Sequence, residues 1–349
     1  MEKYVNLLKS LIAVPSLSQN EQDAAQVIRN FLTDSKVKYD SKVNNTWIRN
    51  EHWKPGLPVI LLNSHIDTVK PSGGYTRNPF SPDIENGILY GLGSNDAGGP
   101  LVTLLAAFMH FNPMTNLPFN LIYAATAEEE ISGTKGLASI LSELGALDLA
   151  IVGEPTKMQM AIAEKGLIVL DCTAHGKSGH AAREEGENAI FKAITDIEKI
   201  AAYKFEKTSE ILGAVKMSVT MINAGTQHNV VPDSCSFVVD LRTNEFYSNQ
   251  EAYEIVDQMI ESDVTPRSFR LNSSGIPVDH PIVQRGISLG LNYYGSPTTS
   301  DQAVIPYQSV KIGPGDSARS HTADEYILIS ELEEGFRIYV DLLTDLQLK

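Results

Sequence analysis

Residues 119–136, FNLIYAATAEEEISGTKG, decide how the rest of the chain is read. The first half is an unbroken apolar run, the pattern of a strand buried on both faces. It ends in three consecutive carboxylates, Glu128, Glu129 and Glu130, and then in a glycine-rich segment. Adjacent carboxylates repel one another unless they stay solvated or something positive sits among them. On a helix surface such a triplet is ordinary. At the carboxyl end of a buried strand it falls where open α/β sheets build their sites.

The segments on either side repeat the pattern. Residues 57–67, LPVILLNSHID, are another continuous apolar run, and 147–155, LDLAIVGEP, a third. Between them, 87–96 reads as a short glycine-punctuated strand, 100–111 as a helix with Pro100 in its first turn, and 133–145 as a helix. Upstream, 1–16 reads as an amphipathic helix ended by Pro15, and Ser18 with Glu21 reads as a capping box opening a second helix. Alternating strands and helices with short connections predict an α/β domain, a mixed sheet flanked by helices.

The style changes near residue 165. Strand 166–176, helix 187–203, strands 213–225 and 234–243, helix 249–262 and a last strand over 267–275 give the order βαββαβ, a ferredoxin-like module. The chain then resumes its earlier style with helix 281–295, strand 309–315 and helix 329–347. The expected organisation is a discontinuous domain, 1–164 with 274–349, interrupted by 165–273.

Composition narrows the function. The 349 residues carry 43 Asp+Glu against 28 Lys+Arg, a formal charge of −15, which argues against nucleic acid or an anionic membrane as partner. No run approaches the ~18 apolar residues of a membrane span, and the N-terminus lacks the pattern of a signal peptide. Cys172 and Cys235 sit alone inside predicted strands, which suits packing roles in a reducing compartment. The expected location is cytoplasmic.

Potential metal ligands gather just beyond the apolar runs: His65 and Asp67, Asp96, the glutamate triplet, Glu154 and His321. Five elements delivering compatible ligands at comparable points outweigh any one of them. Two histidines with several carboxylates form an N/O set suited to Zn²⁺, Co²⁺ or Mn²⁺. A carboxylate shared between two ions, with one histidine on each, uses the set evenly. Paired ions ~3.5–4 Å apart acidify a water and polarise a carbonyl, and a glutamate outside the ligand set can take the water's proton. Two adjacent glutamates can thus divide into ligand and base.

Together SHIDTV (64–69), GLGSNDAGGP (91–100), TAEEEISGTKG (126–136), VGEPT (152–156), GKSGHAA (176–182), HNVVPD (228–233), DLRT (240–243) and SHTADEY (320–326) resemble the di-zinc amidohydrolases. That family includes acetylornithine deacetylase, succinyl-diaminopimelate desuccinylase, aminoacylase and related carboxypeptidases. The resemblance implies a catalytic domain interrupted by a ferredoxin-like dimerisation or lid domain, a homodimer, and two Zn²⁺, replaceable by Co²⁺ or Mn²⁺. It implies His65, Asp96, Glu130, Glu154 and His321 as ligands, with Asp96 bridging. Asp67 would orient the His65 imidazole, Glu129 would be the general base, and Glu128 stands where the family has aspartate. A cis Asp96–Ala97 peptide is expected; Ala97 departs from the family's usual lysine.

His180 resembles the histidine that helps polarise the substrate carbonyl, often across the dimer interface. Asn229 and Arg242 match substrate-contact positions, and Arg183 is a candidate for a substrate carboxylate, though Arg242 also suits a structural ion pair. Arg319 and Ser320 are further candidates for an acyl carboxylate. The implied reaction is hydrolysis of a small N-acyl amino acid, N-acetylornithine first, with N-acetylcitrulline or succinyl analogues as variants. A di- or tripeptidase and a non-catalytic metal-binding relic are the rivals.

Overall fold

In the computed structural model, which describes residues 1–348, Val59–His65 is a strand with every residue buried. It pairs in parallel with Asn120–Thr126, in register from Val59 opposite Asn120 to His65 opposite Thr126. On its other side it pairs in parallel with Leu149–Val152, which in turn pairs in parallel with Ser309–Lys311. Four parallel strands therefore finish at one edge, and whatever follows them in sequence is delivered there. Asn45–Arg49 lies antiparallel to Asn120–Thr126, and Ala161 pairs antiparallel with Lys311, so the sheet is mixed.

Side-chain alternation explains the apolar runs. Ile60, Leu62, Leu121, Tyr123 and Ile151 enter one core; Leu61, Ile122, Ala124, Ala150 and Val152 enter a second on the opposite face. A strand covered on both faces needs no polar positions, and each fully buried aliphatic side chain contributes roughly 1.5–3 kcal/mol. Helix Gly99–Phe111 is buried on nearly all sides, packed on Val59–His65, Glu2–Ile12 and Ile329–Leu343. That is why its sequence is apolar all round.

The chain forms two compact units: residues 1–162, 275–294 and from 300 onward, and residues 163–274 with 295–299. The second holds an antiparallel sheet in the order Lys216–Ala224, Ser234–Arg242, Ile168–His175, Asp263–Pro266. Helices Ala189–Ala202 and Asn249–Met259 share its core with Ile168, Phe237 and Val239. This is the ferredoxin-like strand order. The short return 295–299 joins this unit because Lys165 N donates to Ser296 O at 3.1 Å and Arg242 Nη1 to Thr299 Oγ1 at 3.3 Å.

Several expected elements differ. The last strand of the second unit is Asp263–Pro266, not 267–275; it is the outermost strand, where Pro266 is tolerated. The helix expected over 133–145 is only a 3₁₀ turn, Leu137–Ser139, and one α turn, Leu141–Leu144. The preceding residues are tied elsewhere, with Lys135 O accepting from Asn45 Nδ2 at 2.6 Å. Helix Pro281–Ser288 stops early, and Tyr293–Ser296 is a strand. Ser18 is no cap: helix Gln22–Asp34 starts beyond Glu21, and the Ser18 hydroxyl donates to Asp67 Oδ2 at 2.7 Å. Asn45–Arg49 and Met160–Glu164 are strands that the reading left out.

Candidate metal centre

The first unit assembles the site from the ends of its parallel strands. His65 closes Val59–His65 and is buried. Its Nδ1 lies 2.9 Å from the main-chain oxygen of Asp67, so Nδ1 is the protonated nitrogen in the neutral ring, leaving the Nε2 lone pair directed into the site. Among the described residues nothing hydrogen-bonds this buried Nε2. Around it stand Asp96 Oδ1 at 3.4 Å, Glu154 Oε1 at 3.7 Å and Glu129 Oε2 at 4.0 Å. Asp96 turns its other oxygen, Oδ2, to His321 Nε2 at 3.6 Å, and Glu130 Oε2 lies 3.1 Å from the same nitrogen. One carboxylate thus faces both histidines.

The triplet parts three ways. Glu128, at φ 57°, is buried and directs its carboxylate to the Lys135 amide at 3.0 Å, where a side chain at Gly133 would collide with it. Glu129 faces His65 and Glu130 faces His321. Their backbone amides donate to Asp67 Oδ1 at 3.0 Å and Oδ2 at 3.1 Å. Asp67 thus has a second task beside the one expected at His65. Its main-chain oxygen, 2.9 Å from His65 Nδ1, and its carboxylate, 3.5 Å from the same nitrogen, both face the imidazole, and the carboxylate also holds the glutamate turn.

Asp96 is presented by the turn Ser94–Gly98, with a cis Asp96–Ala97 peptide, ahead of helix Gly99–Phe111. Gly93 leads into it at φ 74°, and a Cβ there would strike Thr68 Cγ2. The residue that fastens this turn escaped the sequence reading. Glu325 is buried and accepts from the amides of Gly93 at 2.9 Å, Asn95 at 2.8 Å and Asp96 at 2.9 Å. The only signal was its place in SHTADEY, four residues beyond His321. Asp301, buried and accepting from Thr126 Oγ1 at 3.0 Å, was also passed over.

Electrostatics ask for a cation here. Burial drives Glu129 well above the usual carboxylate range, with Glu154, Asp301 and Glu130 adding to the push against His65. Burial likewise lifts Glu154 to about 8, aided by Asp96 and Glu130 and opposed by His65 and Lys311. His321 rises to about 9 through its contact with Glu130. For His65, burial works downward, yet Asp67, Asp96 and the charges of Glu129 and Glu154 carry it well above the ordinary value. The protein alone therefore holds protons where clustered carboxylates need positive charge. A divalent cation supplies that charge and displaces those protons on binding. The donors are chemically right for it: His65 groups with Asp96 and Glu130, and also with Glu129 and Glu154, each set with ligand atoms within 4.8 Å of one another.

Four of the remaining candidates lie in the second unit. His180 belongs to a short two-stranded antiparallel ladder opposite Val230, exposed, with Nδ1 accepting from Ala182 N at 3.1 Å. Asn229 adjoins it, its main-chain oxygen accepting from Ala181 N at 3.0 Å, and Arg183 is exposed 3.8 Å from Glu185. Arg242 is engaged by Asp240 through Nε at 2.8 Å and Nη2 at 2.9 Å. In the first unit Arg319 is likewise occupied, forked onto Glu331 at 2.7 and 3.0 Å. Ser320 Oγ accepts from Asn95 Nδ2 at 3.3 Å.

This fold and donor set are those of a metal-dependent hydrolase. The chain matches the peptidase family M20/M25/M40 over residues 61–345 and belongs to that family. Relatives named succinyl-diaminopimelate desuccinylase include one from Rickettsia felis, 26% identical with 98% of this chain and 100% of that protein covered. Another, from Xylella fastidiosa, is 25% identical with 95% and 96% covered. Among solved structures, a tripeptidase from Staphylococcus aureus superposes with a TM-score of 0.78 at 19% identity, covering 99% and 98% of the two chains. A Bacillus subtilis protein described as a dinuclear metal binding peptidase from the M20 family gives 0.76 at 16% identity, covering 100% and 99%.

Proposed function

We propose that this chain hydrolyses the amide bond of an N-acyl amino acid with two zinc ions, for which cobalt or manganese can substitute. The observation that carries the reading is the parting of Glu129 and Glu130 about Asp96, which faces both histidines. His65, Asp96 and Glu154 would hold one ion, and Asp96, Glu130 and His321 the other. When bound, such a pair polarises the acyl carbonyl and makes water acidic near neutral pH. Glu129 takes the proton of the attacking water and returns it to the leaving nitrogen. Asp67, through two backbone amides, fixes where Glu129 stands. In the second unit His180 is proposed to donate to the substrate carbonyl, with Asn229, Arg242 and Arg183 as substrate contacts.

The names of the relatives favour a succinyl acyl group, so an N-succinyl amino acid is the first substrate to test and N-acetylornithine the second. A second copy of the chain is the proposed partner and the cytoplasm the proposed location. Among the described residues no helix is long and apolar enough to cross a membrane. Support for the homodimer comes from Met221 and Ile222, exposed on the outermost strand of the second sheet, and from exposed Phe191 and Ile194 on helix Ala189–Ala202. Such a face invites a partner; light scattering that finds only monomer removes it.

The test is amine release after zinc loading, with chelated controls, from N-succinyl-diaminopimelate, N-succinylornithine, N-acetylornithine, N-acetylcitrulline and several dipeptides. Metal-dependent release from an acyl substrate upholds the proposal. Release from dipeptides alone makes the chain a peptidase. Silence from metal-loaded protein across the panel rejects the proposed substrates and turns the next test to the binding-relic reading.

A further inference from the structure

From the N-terminal loop we infer a pair of positioning residues, Ser18 and Glu21, that set the glutamate turn bearing Glu129 and Glu130; its activity readout rests on the function proposed above. Three successive amides of the turn are each held by a buried carboxylate. Glu21 Oε1 accepts from Glu128 N at 3.3 Å, and Asp67 accepts from Glu129 N and Glu130 N. Both carboxylates are tied to the loop between the first two helices. Ser18 Oγ donates to Asp67 Oδ2 at 2.7 Å. Glu21, fully buried, also accepts from Gln19 N at 2.6 Å and Asn44 Nδ2 at 2.8 Å. The backbone follows the same path, since Thr68 N donates to Ser16 O at 2.9 Å and Leu17 bridges Thr68.

The hydroxyl has a defined task. Asp67 Oδ2 accepts from two donors, Ser18 and the Glu130 amide. Without Ser18, only the turn's own amides and the distant His65 nitrogen hold the carboxylate, which is then less restrained about its χ2 torsion. Rotation shifts both amides, and with them the proton-transfer group and its neighbouring ligand. A displacement approaching 1 Å at such a group lowers turnover by about a hundredfold, and losing a residue that orients a ligand typically lowers activity or metal affinity 10–100-fold. Ser18 acts one bond further out, so the expected effect lies at about tenfold, the low end of that range.

The experiment compares wild type with Ser18→Ala, Ser18→Thr and Glu21→Gln. Amide hydrogen exchange over 127–136 is measured on metal-free protein, thermal midpoints on the same samples, and kcat and KM on the best substrate of the panel. Ser18→Ala is expected to speed exchange at the Glu129 and Glu130 amides about tenfold and to lower kcat by a similar factor with KM little changed. Ser18→Thr, which keeps the hydroxyl, should restore both. Glu21→Gln should speed exchange at the Glu128 amide first. Unchanged exchange at these amides in Ser18→Ala overturns the inference. So does a lower thermal midpoint with exchange at the turn no faster than elsewhere, which is what general loss of stability gives. If wild type turns over nothing, the proposed function has failed; exchange still decides the positioning claim.

Discussion

Replacing Glu129 and Glu130 in turn by glutamine separates base from ligand. Both substitutions keep shape and leave untouched the backbone amides on Asp67, so the turn stays in place. Glu129 Oε2 stands 4.0 Å from His65 Nε2, near the cluster but the farthest of its three carboxylate neighbours. Removing a positioned general base lowers turnover by about 10²–10⁴-fold, or roughly 3–5 kcal/mol of barrier at 1.36 kcal/mol per decade. Glu130 Oε2 lies 3.1 Å from His321 Nε2, so its loss takes a charge from that ion's shell. A unit charge pair about 4 Å apart at an effective dielectric of 20 is worth about 4 kcal/mol. Glu129→Gln should therefore keep both ions after desalting while losing at least 99% of kcat, on the order of the lower bound above. Glu130→Gln should emerge short of one ion. Metal content by mass spectrometry and initial rates on one substrate suffice. Turnover above about a tenth of wild type in Glu129→Gln, outside the general-base range, or ion loss there with both ions kept in Glu130→Gln, would refute the assignment.

Three further outcomes follow from the same structure. Glu325→Ala frees three amides, two of them buried, in the turn that presents Asp96 and should destabilise the protein by about 3 kcal/mol, read by denaturant midpoint, with weakened metal binding by calorimetry. Asp196 accepts from Ser262 Oγ at 2.7 Å, Ser262 N at 2.8 Å, Glu261 N at 3.2 Å and Lys199 Nζ at 3.3 Å. Burial raises its pKa, but these donors prevail and hold it below the ordinary value, so its contribution is present above pH ~4 and fades as pH falls through the lower folded value. Asp196→Ala should cost about 2–3 kcal/mol near pH 7, and the gap from wild type should narrow in melts near pH 3. Chelation should lower the melting temperature, since an ion held at 100 times its Kd stabilises by about 2.7 kcal/mol; identical melts with and without chelator would contradict a resident metal.

The site was legible because parallel strands convert sequence position into spatial position. Residues just after 59–65, 120–126 and 149–152 emerge at one edge, and those after 309–311 emerge there too. His65, the triplet, Glu154 and His321 could therefore be collected from apolar runs alone, and the division of Glu129 from Glu130 follows the register that the family resemblance gave. What stayed hidden was held by backbone amides, which leave no mark in composition. Glu325 looks like any loop acid until its three amide donors are seen. Ser18 has a capping residue's spacing, but a buried carboxylate takes its hydroxyl. Asp263–Pro266 is hard to read as a strand because proline argues against one, and only its position at the sheet edge makes it acceptable. The acyl group stays unread because pocket shape, not a motif, selects it.

Calorimetric titration of zinc into chelator-stripped wild-type protein, with hydrolysis of the best acyl substrate followed on the same samples, tests the central claim most directly. The account predicts two ions bound per chain, and amine release that is absent before zinc and returns as the sites fill. Release that persists in the stripped protein, or a chain that binds no zinc, would contradict it.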